Sequence, residues 1–342
     1  MARAVGAAEI WRSEASGIAL RAARKIWWLS TDKGNRPNSY EFEDWLTEVR
    51  LLARCLIDPP DVVHALYGEE HLDLLLRRRH LLRCPLVATF HQPAEQLNHG
   101  FEYFRRERVE GIDAAVVVAR SEIAKFERWF GKNKVVYVPH GIDTTRFRPD
   151  DSKLVHTDKL RLLVVGLYLR DWEVIHRVID ETRNNRLDVQ FDVVTLPAFF
   201  PYFAGCSNVT LHSGISERDL IGLYQRSDAL FLPLKDATAN NALLEALACG
   251  LPAMVTNVGG ISDYLSDGSG WLIPRNDVET PLALIRHLSV DRDLARSKRE
   301  KARAQALKFD WRRIRERLLA VYSAISAGRP PHTSVEGVEE NQ

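Results

Sequence analysis

The segment DALFLPLKDATANNALLEALACGLP, residues 228–252, constrains this chain more than any other. The apolar run Ala229 to Leu232 reads as a short buried strand, Pro233 opens a polar loop, and a helix follows from about Asn241 to Cys249, stopped by Gly250 with Pro252 beyond it. The first turn of such a helix offers unpaired backbone amides and a positive dipole end, so a phosphate or diphosphate can sit there. Glu245 lies one turn in, where its carboxylate can accept hydrogen bonds from neutral hydroxyls such as a ribose diol. Many α/β proteins carry a strand and a capped helix with no ligand, and there such a glutamate faces water.

The chain has 342 residues, too many for one ordinary core, which suggests two domains of about 150 residues each. With 47 Lys and Arg against 46 Asp and Glu the formal net charge is +1, so the balance gives no reason to expect a nucleic-acid partner. Cys55, Cys84, Cys206 and Cys249 have no metal-ligand or redox spacing and read as buried thiols in a reducing compartment. No run of about eighteen apolar residues and no cleavable signal is present, which places the expectation in the cytoplasm.

In the first half, residues 1–24 look helical, and KIWWLS (25–30) reads as a strand or as the end of that helix. Arg21, Arg24 and Lys25 beside Trp27 and Trp28 also fit a membrane-surface segment, although a packed element explains them as well. Phe42, Trp45, Leu46, Val49, Leu52, Ala53 and Leu56 follow a helical period over 40–57, and Pro59 and Pro60 end it. Strands are expected at 61–64, 86–90, 114–119 and 135–138, an acidic loop at 68–70, and helices through LDLLLRRRHLL and SEIAKFERWFG. Alternating strands and helices argue for a parallel sheet whose ligand loops lie at the C-terminal strand ends, where His64 and His91 both stand.

The second half opens with the strand KLRLLVVG (159–166) and a helix with Trp172, Val174, Ile175, Val178 and Ile179 inward. Gly166 permits close backbone approach, and Arg170 is the nearby cation for a phosphate, unless it pairs with Asp171. Strands follow at 191–195 and 209–213, with His212 and Gly214 at the end of the latter, then a helix opened by a capping pattern, Ser216 to Asp219. Beyond the central segment come the strand AMVT, a Gly259-Gly260 turn, and helices near 282–288 and 291–307. Trp311, Ile314, Leu318, Val321 and Tyr322 form one stripe on a last helix, and residues 327–342 read as a disordered tail.

Three blocks resemble the retaining glycosyltransferases of family 4. In the central block a glutamate, seven residues, a second glutamate and then a small-residue, Gly, aliphatic, Pro run are usual; Glu245 matches the second glutamate, while Ala237, beside Asp236, stands at the first. The linker PHGIDTTRFRPD matches at Gly141, Asp143, Phe147 and Pro149, with His140 in place of Asn. The Gly259-Gly260 turn is the third block, and TFHQP around His91 is similar to the family's Thr, any residue, His pattern. In the second domain Leu167 replaces the usual Arg; no strand with a Gly-Gly turn precedes residue 41, so the first domain reads as either divergent or incomplete at its start.

The resemblance covers about residues 40–325 and implies the GT-B arrangement, an α/β fold with two Rossmann-like domains facing a cleft. The boundaries would be 1–145 for the acceptor side, 146–310 for the nucleotide-sugar side, and 311–326 for a helix crossing back to the first domain. It implies a donor site of Gly166, Arg170, His212, Gly214, Asn240, Asn241, Glu245, Gly259 and Gly260, with His64 and His91 on the acceptor side. His91, Glu245 and Arg170 would carry the catalytic work, with no metal and no permanently bound cofactor. The partners implied are a nucleoside-diphosphate sugar and a hydroxyl acceptor, either a glycan, a lipid-linked glycan or a small molecule, with peripheral contact at the inner membrane face if the acceptor is a lipid. Two rival readings remain: a catalytically impaired binding or scaffold protein on this fold, and a sugar-nucleotide epimerase. A nicotinamide dehydrogenase is disfavoured, since no GxGxxG follows an early strand.

Overall fold

Short runs of small and β-branched residues, LVATF, AAVV, ALFL and AMVT, are apolar on both alternating faces, as strands covered by helices on both sides must be. The computed structural model describes residues 27, 40–70, 72–101, 110–150, 152, 159–265 and 268–331. The expectations for 1–24, for most of 25–30 and for the tail from 332 fall outside the described residues. The chain divides into two units, Met1–Pro139 with Arg315–Gln342, and His140–Ile314.

In the first unit four parallel strands pair in the order β1-β2-β3-β4: β1 Val63–Ala65, β2 Leu86–Phe90, β3 Ala114–Val117 and β4 Val135–Tyr137. Helices α1 Phe42–Ile57, α2 Asp73–Arg77, α3 Ala94–Phe101 and α4 Ile123–Phe130 accompany them. The long helix expected through LDLLLRRRHLL is shorter: α2 gives way to a 3-10 turn at Arg79–Leu81, and Leu82 turns extended. Leu52, Leu75, Leu86, Phe90 and Phe126 are all buried in one apolar cluster.

Within this unit Glu48 of α1 is a buried carboxylate. Its Oε2 accepts from the Tyr40 hydroxyl and from the Leu74 amide, each at 2.6 Å, while Oε1 has no partner. Burial pushes its pKa up to about 8, from 4.5. Between those two values the folded chain holds a proton that the unfolded chain releases, so this group's contribution is full below 4.5 and is lost as pH rises toward 8. Glu48→Gln keeps both accepted bonds and removes the ionisation. Thermal melts at pH 5 and pH 8 are expected to show the variant's advantage only at pH 8; an equal change at both would rule this out.

The second unit holds six parallel strands in the order β10-β9-β8-β5-β6-β7: β5 Leu160–Val165, β6 Val189–Val194, β7 Val209–His212, β8 Ala229–Leu232, β9 Ala253–Thr256 and β10 Gly270–Ile273. Between and after them come α5 Trp172–Asn184, α6 Glu217–Arg226, α7 Asn241–Ala248, α8 Ile261–Tyr264, α9 Glu279–Val290, α10 Asp293–Arg296, α11 Arg299–Leu307 and α12 Trp311–Ser326. The helix expected over 291–307 is thus two helices. Residues of α12 from Arg315 onward belong with the first unit, and Ile314, Leu318 and Val321 are its buried stripe, whereas Trp311 is 37% exposed.

The stretch after β4 is held to the second unit from His140 onward. Ile142 pairs with Asp310, its amide donating to the Phe309 carbonyl at 2.9 Å, and the His140 amide donates to the Tyr264 hydroxyl at 2.9 Å. A β-carbon at Gly141 would enter the Trp311 ring, which is why only glycine serves there.

Candidate functional site

Strand order decides where a ligand can sit. From β5 the chain runs outward through β6 and β7, then returns to β8 on the other side of β5 and runs outward through β9 and β10. The reversal falls between β5 and β8, and in a doubly wound sheet the loops beyond the C-terminal ends of those two strands part to leave a crevice. Here those loops are residues 166–171 and 233–240. They are stitched by backbone bonds, Asp171 amide to Pro233 carbonyl at 3.0 Å and Lys235 amide to Leu169 carbonyl at 2.9 Å.

Gly166 adopts φ +95°, and Arg170 lies against it: a β-carbon there would come within 2.5 Å of a guanidinium nitrogen. Arg170 is buried, donating from Nε to the Val165 carbonyl at 2.8 Å and from Nη1 to the Tyr168 carbonyl at 3.0 Å. Asp171 does not pair with it; that carboxylate caps α5 by accepting from the Val174 amide. Burial brings the guanidinium pKa down to about 10. Held among the described residues by two neutral carbonyls, this buried cation keeps its charge for an anionic ligand.

Beyond β8, α7 begins as the sequence indicates. The Asn240 side chain accepts from the Leu243 amide at 3.2 Å, and Asn241 opens the first turn, its side chain exposed. Glu245 is half-buried, and its Oε2 accepts from the Tyr224 hydroxyl at 2.8 Å. Burial raises its pKa to about 7. Tyr224, fully buried on α6, is the site residue that sequence reading missed, since nothing at a separation of 21 residues announces the pair.

The Gly259-Gly260 turn after β9 closes over the same loop. The Gly260 amide donates to the Ala237 carbonyl at 2.9 Å, and a β-carbon on Gly259, at φ +51°, would overlap that carbonyl. Ala237 is buried and Asp236 turns its Oδ1 onto the Ala237 amide at 2.8 Å. Exposed Lys235 stands in this loop, a second cation beside Arg170 that the sequence reading passed over.

Two of the expected site histidines have side-chain partners of their own. His212 gives Nε2 to Asp192 at 2.7 Å, so its side chain is tied into the sheet; Gly214 beyond it, at φ +62° with open space around it, leaves backbone as the contact there. His64 is held at both ring nitrogens. Its Nδ1 meets the Tyr322 hydroxyl at 2.5 Å and its Nε2 the Thr89 hydroxyl at 2.8 Å, and burial lowers its pKa to about 3. His91, at the end of β2, keeps a side chain 26% exposed.

Among the described residues His176, Asp180 and Cys206 bring ligand atoms within 4.8 Å of one another, but Arg183 already holds Asp180 at 3.0 Å, so a guanidinium stands where a cation would go. No described helix is long and apolar enough to cross a membrane.

Known proteins share this organisation. The family model for Glycosyltransferase Family 4 matches residues 15–146, and that for Glycosyl transferases group 1 matches residues 205–305. The chain is 26% identical over 283 residues to a phosphatidyl-myo-inositol mannosyltransferase of Propionibacterium freudenreichii, covering 77% of this chain and 70% of that one. It is 28% identical over 303 residues to a D-inositol 3-phosphate glycosyltransferase of Geodermatophilus obscurus, covering 77% and 66%. Among solved structures it resembles sucrose-phosphate synthase from Thermosynechococcus elongatus, with TM-score 0.68, 18% identity and coverage of 83% and 79%. It also resembles Anabaena HepE in complex with UDP and glucose, with TM-score 0.66, 14% identity and 81% of each chain covered. With two Rossmann-like parallel sheets of the GT-B class and both family patterns in order along it, the chain belongs to the group 1 glycosyltransferases of family 4.

Proposed function

We propose that this chain is a retaining glycosyltransferase that moves a sugar from a nucleoside-diphosphate sugar to a hydroxyl acceptor in glycan or glycolipid synthesis. The observation that carries the reading is the convergence, at the reversal between β5 and β8, of a buried guanidinium, a helix N-terminus and a half-buried carboxylate. A nucleoside diphosphate has a matching order of groups: a dianionic bridge for Arg170 and the Asn240 and Asn241 amides, and a neutral ribose diol for Glu245.

In this reading the diphosphate leaves as the glycosidic carbon passes to the acceptor oxygen. The developing charge on the leaving oxygen is met by the α7 dipole and the Arg170 guanidinium, preorganised by its two carbonyl bonds, rather than by a bound divalent cation. The Gly259-Gly260 turn, which closes over the 236–240 loop, lines the sugar side of this donor site. Retention follows from attack on the face that the diphosphate leaves, with that phosphate oxygen taking the acceptor proton. UDP is the first nucleotide to try, since HepE was solved with UDP and glucose.

A second reading, a binding protein on the same fold, draws on one feature: the position of the family's first glutamate is the buried Ala237, and the neighbouring Asp236 is turned onto its own loop. The deciding experiment incubates the chain with UDP-, GDP- and ADP-sugars and an acceptor panel that includes inositol phosphate and phosphatidylinositol. Proton NMR then follows the new anomeric signal. A product with the donor's configuration is expected; inversion, or tight donor binding with no product from any acceptor, would favour the alternatives.

A further inference from the structure

The charges of this chain balance only on average. Between Arg292 and Ile314 nine Lys and Arg stand against three Asp and Glu, a net of +6, so in a chain of net +1 the remaining residues sum to −5. The excess lies on α10, α11 and the first turn of α12, all within the second unit.

Helical spacing sorts these residues by face. Ala302, Gln305 and Ala306 of α11 are buried, whereas Lys301, Ala304, Leu307 and Lys308 are exposed, and Trp311, Arg312 and Arg313 carry the exposure into α12. Part of the charge is used within the fold: Arg303 donates to the Thr144, Phe147 and Ala248 carbonyls, Arg296 pairs with Asp293, and Arg312 pairs with Asp310. Lys301, Lys308 and Arg313 add to the strip from exposed positions.

Two large apolar side chains stand among these cations, Leu307 at 40% and Trp311 at 37% exposure. The indole is already held in place, since it lies against Gly141 and its ring centroid is 5.3 Å from that of His140. Cations alone would suit any polyanion. A leucine and a tryptophan exposed between them suit a surface with charged headgroups over hydrocarbon, where apolar tips insert and lysine stems reach up to the headgroups.

We propose that this strip, from Lys301 to Arg313, docks the second unit on an anionic phospholipid surface. The charge is complementary: the potential of an anionic leaflet attracts each Lys or Arg near it, and the repulsion among clustered cations is relieved there. A pre-positioned indole adds little ordering cost, and its amphipathic ring belongs at headgroup depth. The docking is separate from the transferase reading, because it concerns binding and not turnover.

The test floats the full chain with vesicles of phosphatidylcholine alone and of its equimolar mixture with phosphatidylglycerol, and titrates single-stranded DNA in parallel as a soluble polyanion. Wild type is expected to float with the anionic vesicles and not with the neutral ones, and less so as salt rises. Lys301→Gln combined with Lys308→Gln should weaken that binding roughly thirtyfold, at about fivefold for each cation lost. Leu307→Ser should weaken it roughly tenfold and leave DNA binding unchanged. All three chains should melt together, because the substituted side chains are exposed. No flotation of wild type, or equal flotation with both vesicles, overturns the proposal. So does either variant floating as wild type does, since docking would then lie elsewhere. DNA bound more tightly than the vesicles, with Leu307→Ser neutral to both, would mark a polyanion site in its place.

Discussion

Glu245→Ala is expected to weaken nucleoside-diphosphate affinity by roughly tenfold to a hundredfold, the loss of about 1.5–3 kcal/mol that accompanies removal of hydrogen bonds to a charged group. The same change orphans the hydroxyl of Tyr224, which is buried and donates to this carboxylate at 2.8 Å, so a loss of stability of about 1–3 kcal/mol should come with it. Glu245→Gln separates the two effects: the amide oxygen still accepts from Tyr224, so the fold should melt as wild type while affinity drops less than in the alanine variant. The carboxyl pKa, raised to about 7 by burial, adds a pH signature. The ionised form is the better acceptor for the ribose, so affinity should fall as pH declines from 8 to 6 in wild type, and this component should vanish in Glu245→Gln. Titration calorimetry across that range reads both; equal affinities for all three proteins would remove Glu245 from the site.

Gly259→Ala is expected to be the most damaging single methyl in the second unit. The residue sits at φ +51°, which costs a side-chain-bearing residue about 1–2 kcal/mol, and the new methyl would overlap the carbonyl of Ala237. Relief requires the 236–240 loop to move away from the start of α7, so turnover should fall by roughly a hundredfold, the scale set by about 1 Å of misplacement. Gly205→Ala is the control. It has a positive φ of +81° with nothing within 4 Å and lies outside the proposed site, so it should show the backbone cost in a melt and keep its turnover. Similar turnover for the two variants would mean that the Gly259 turn does not shape the site.

The strands were readable in the sequence because their burial on both faces leaves an unbroken apolar signal: Ala229–Leu232, Ala253–Thr256 and Leu86–Phe90 stand where the apolar runs are. The N-cap at Asn240 and the cap at Ser216 were readable for a related reason, since capping is local chemistry within three residues. What a side chain does across long separations is not local. His64 and Tyr322 are 258 residues apart, so a strand-end histidine that looked available is held at both nitrogens. Arg170 was recognisable as the cation of its loop, but only the fold shows it turned onto the Val165 and Tyr168 carbonyls. Glu69 was hidden by its company: an acidic pair after glycine reads as solvated, and only the close fit of Gly68 against Phe90 drives it inward.

The central claim, a nucleoside-diphosphate site built from the loops after β5 and β8, is tested most directly by calorimetry with UDP, GDP, ADP and TDP, each with and without EDTA, on wild type and Glu245→Ala. The account predicts that one nucleotide binds wild type preferentially, that EDTA leaves its affinity unchanged, and that the variant loses most of it. A folded wild-type protein that binds none of the four, or a best nucleotide bound equally by the variant, would contradict it.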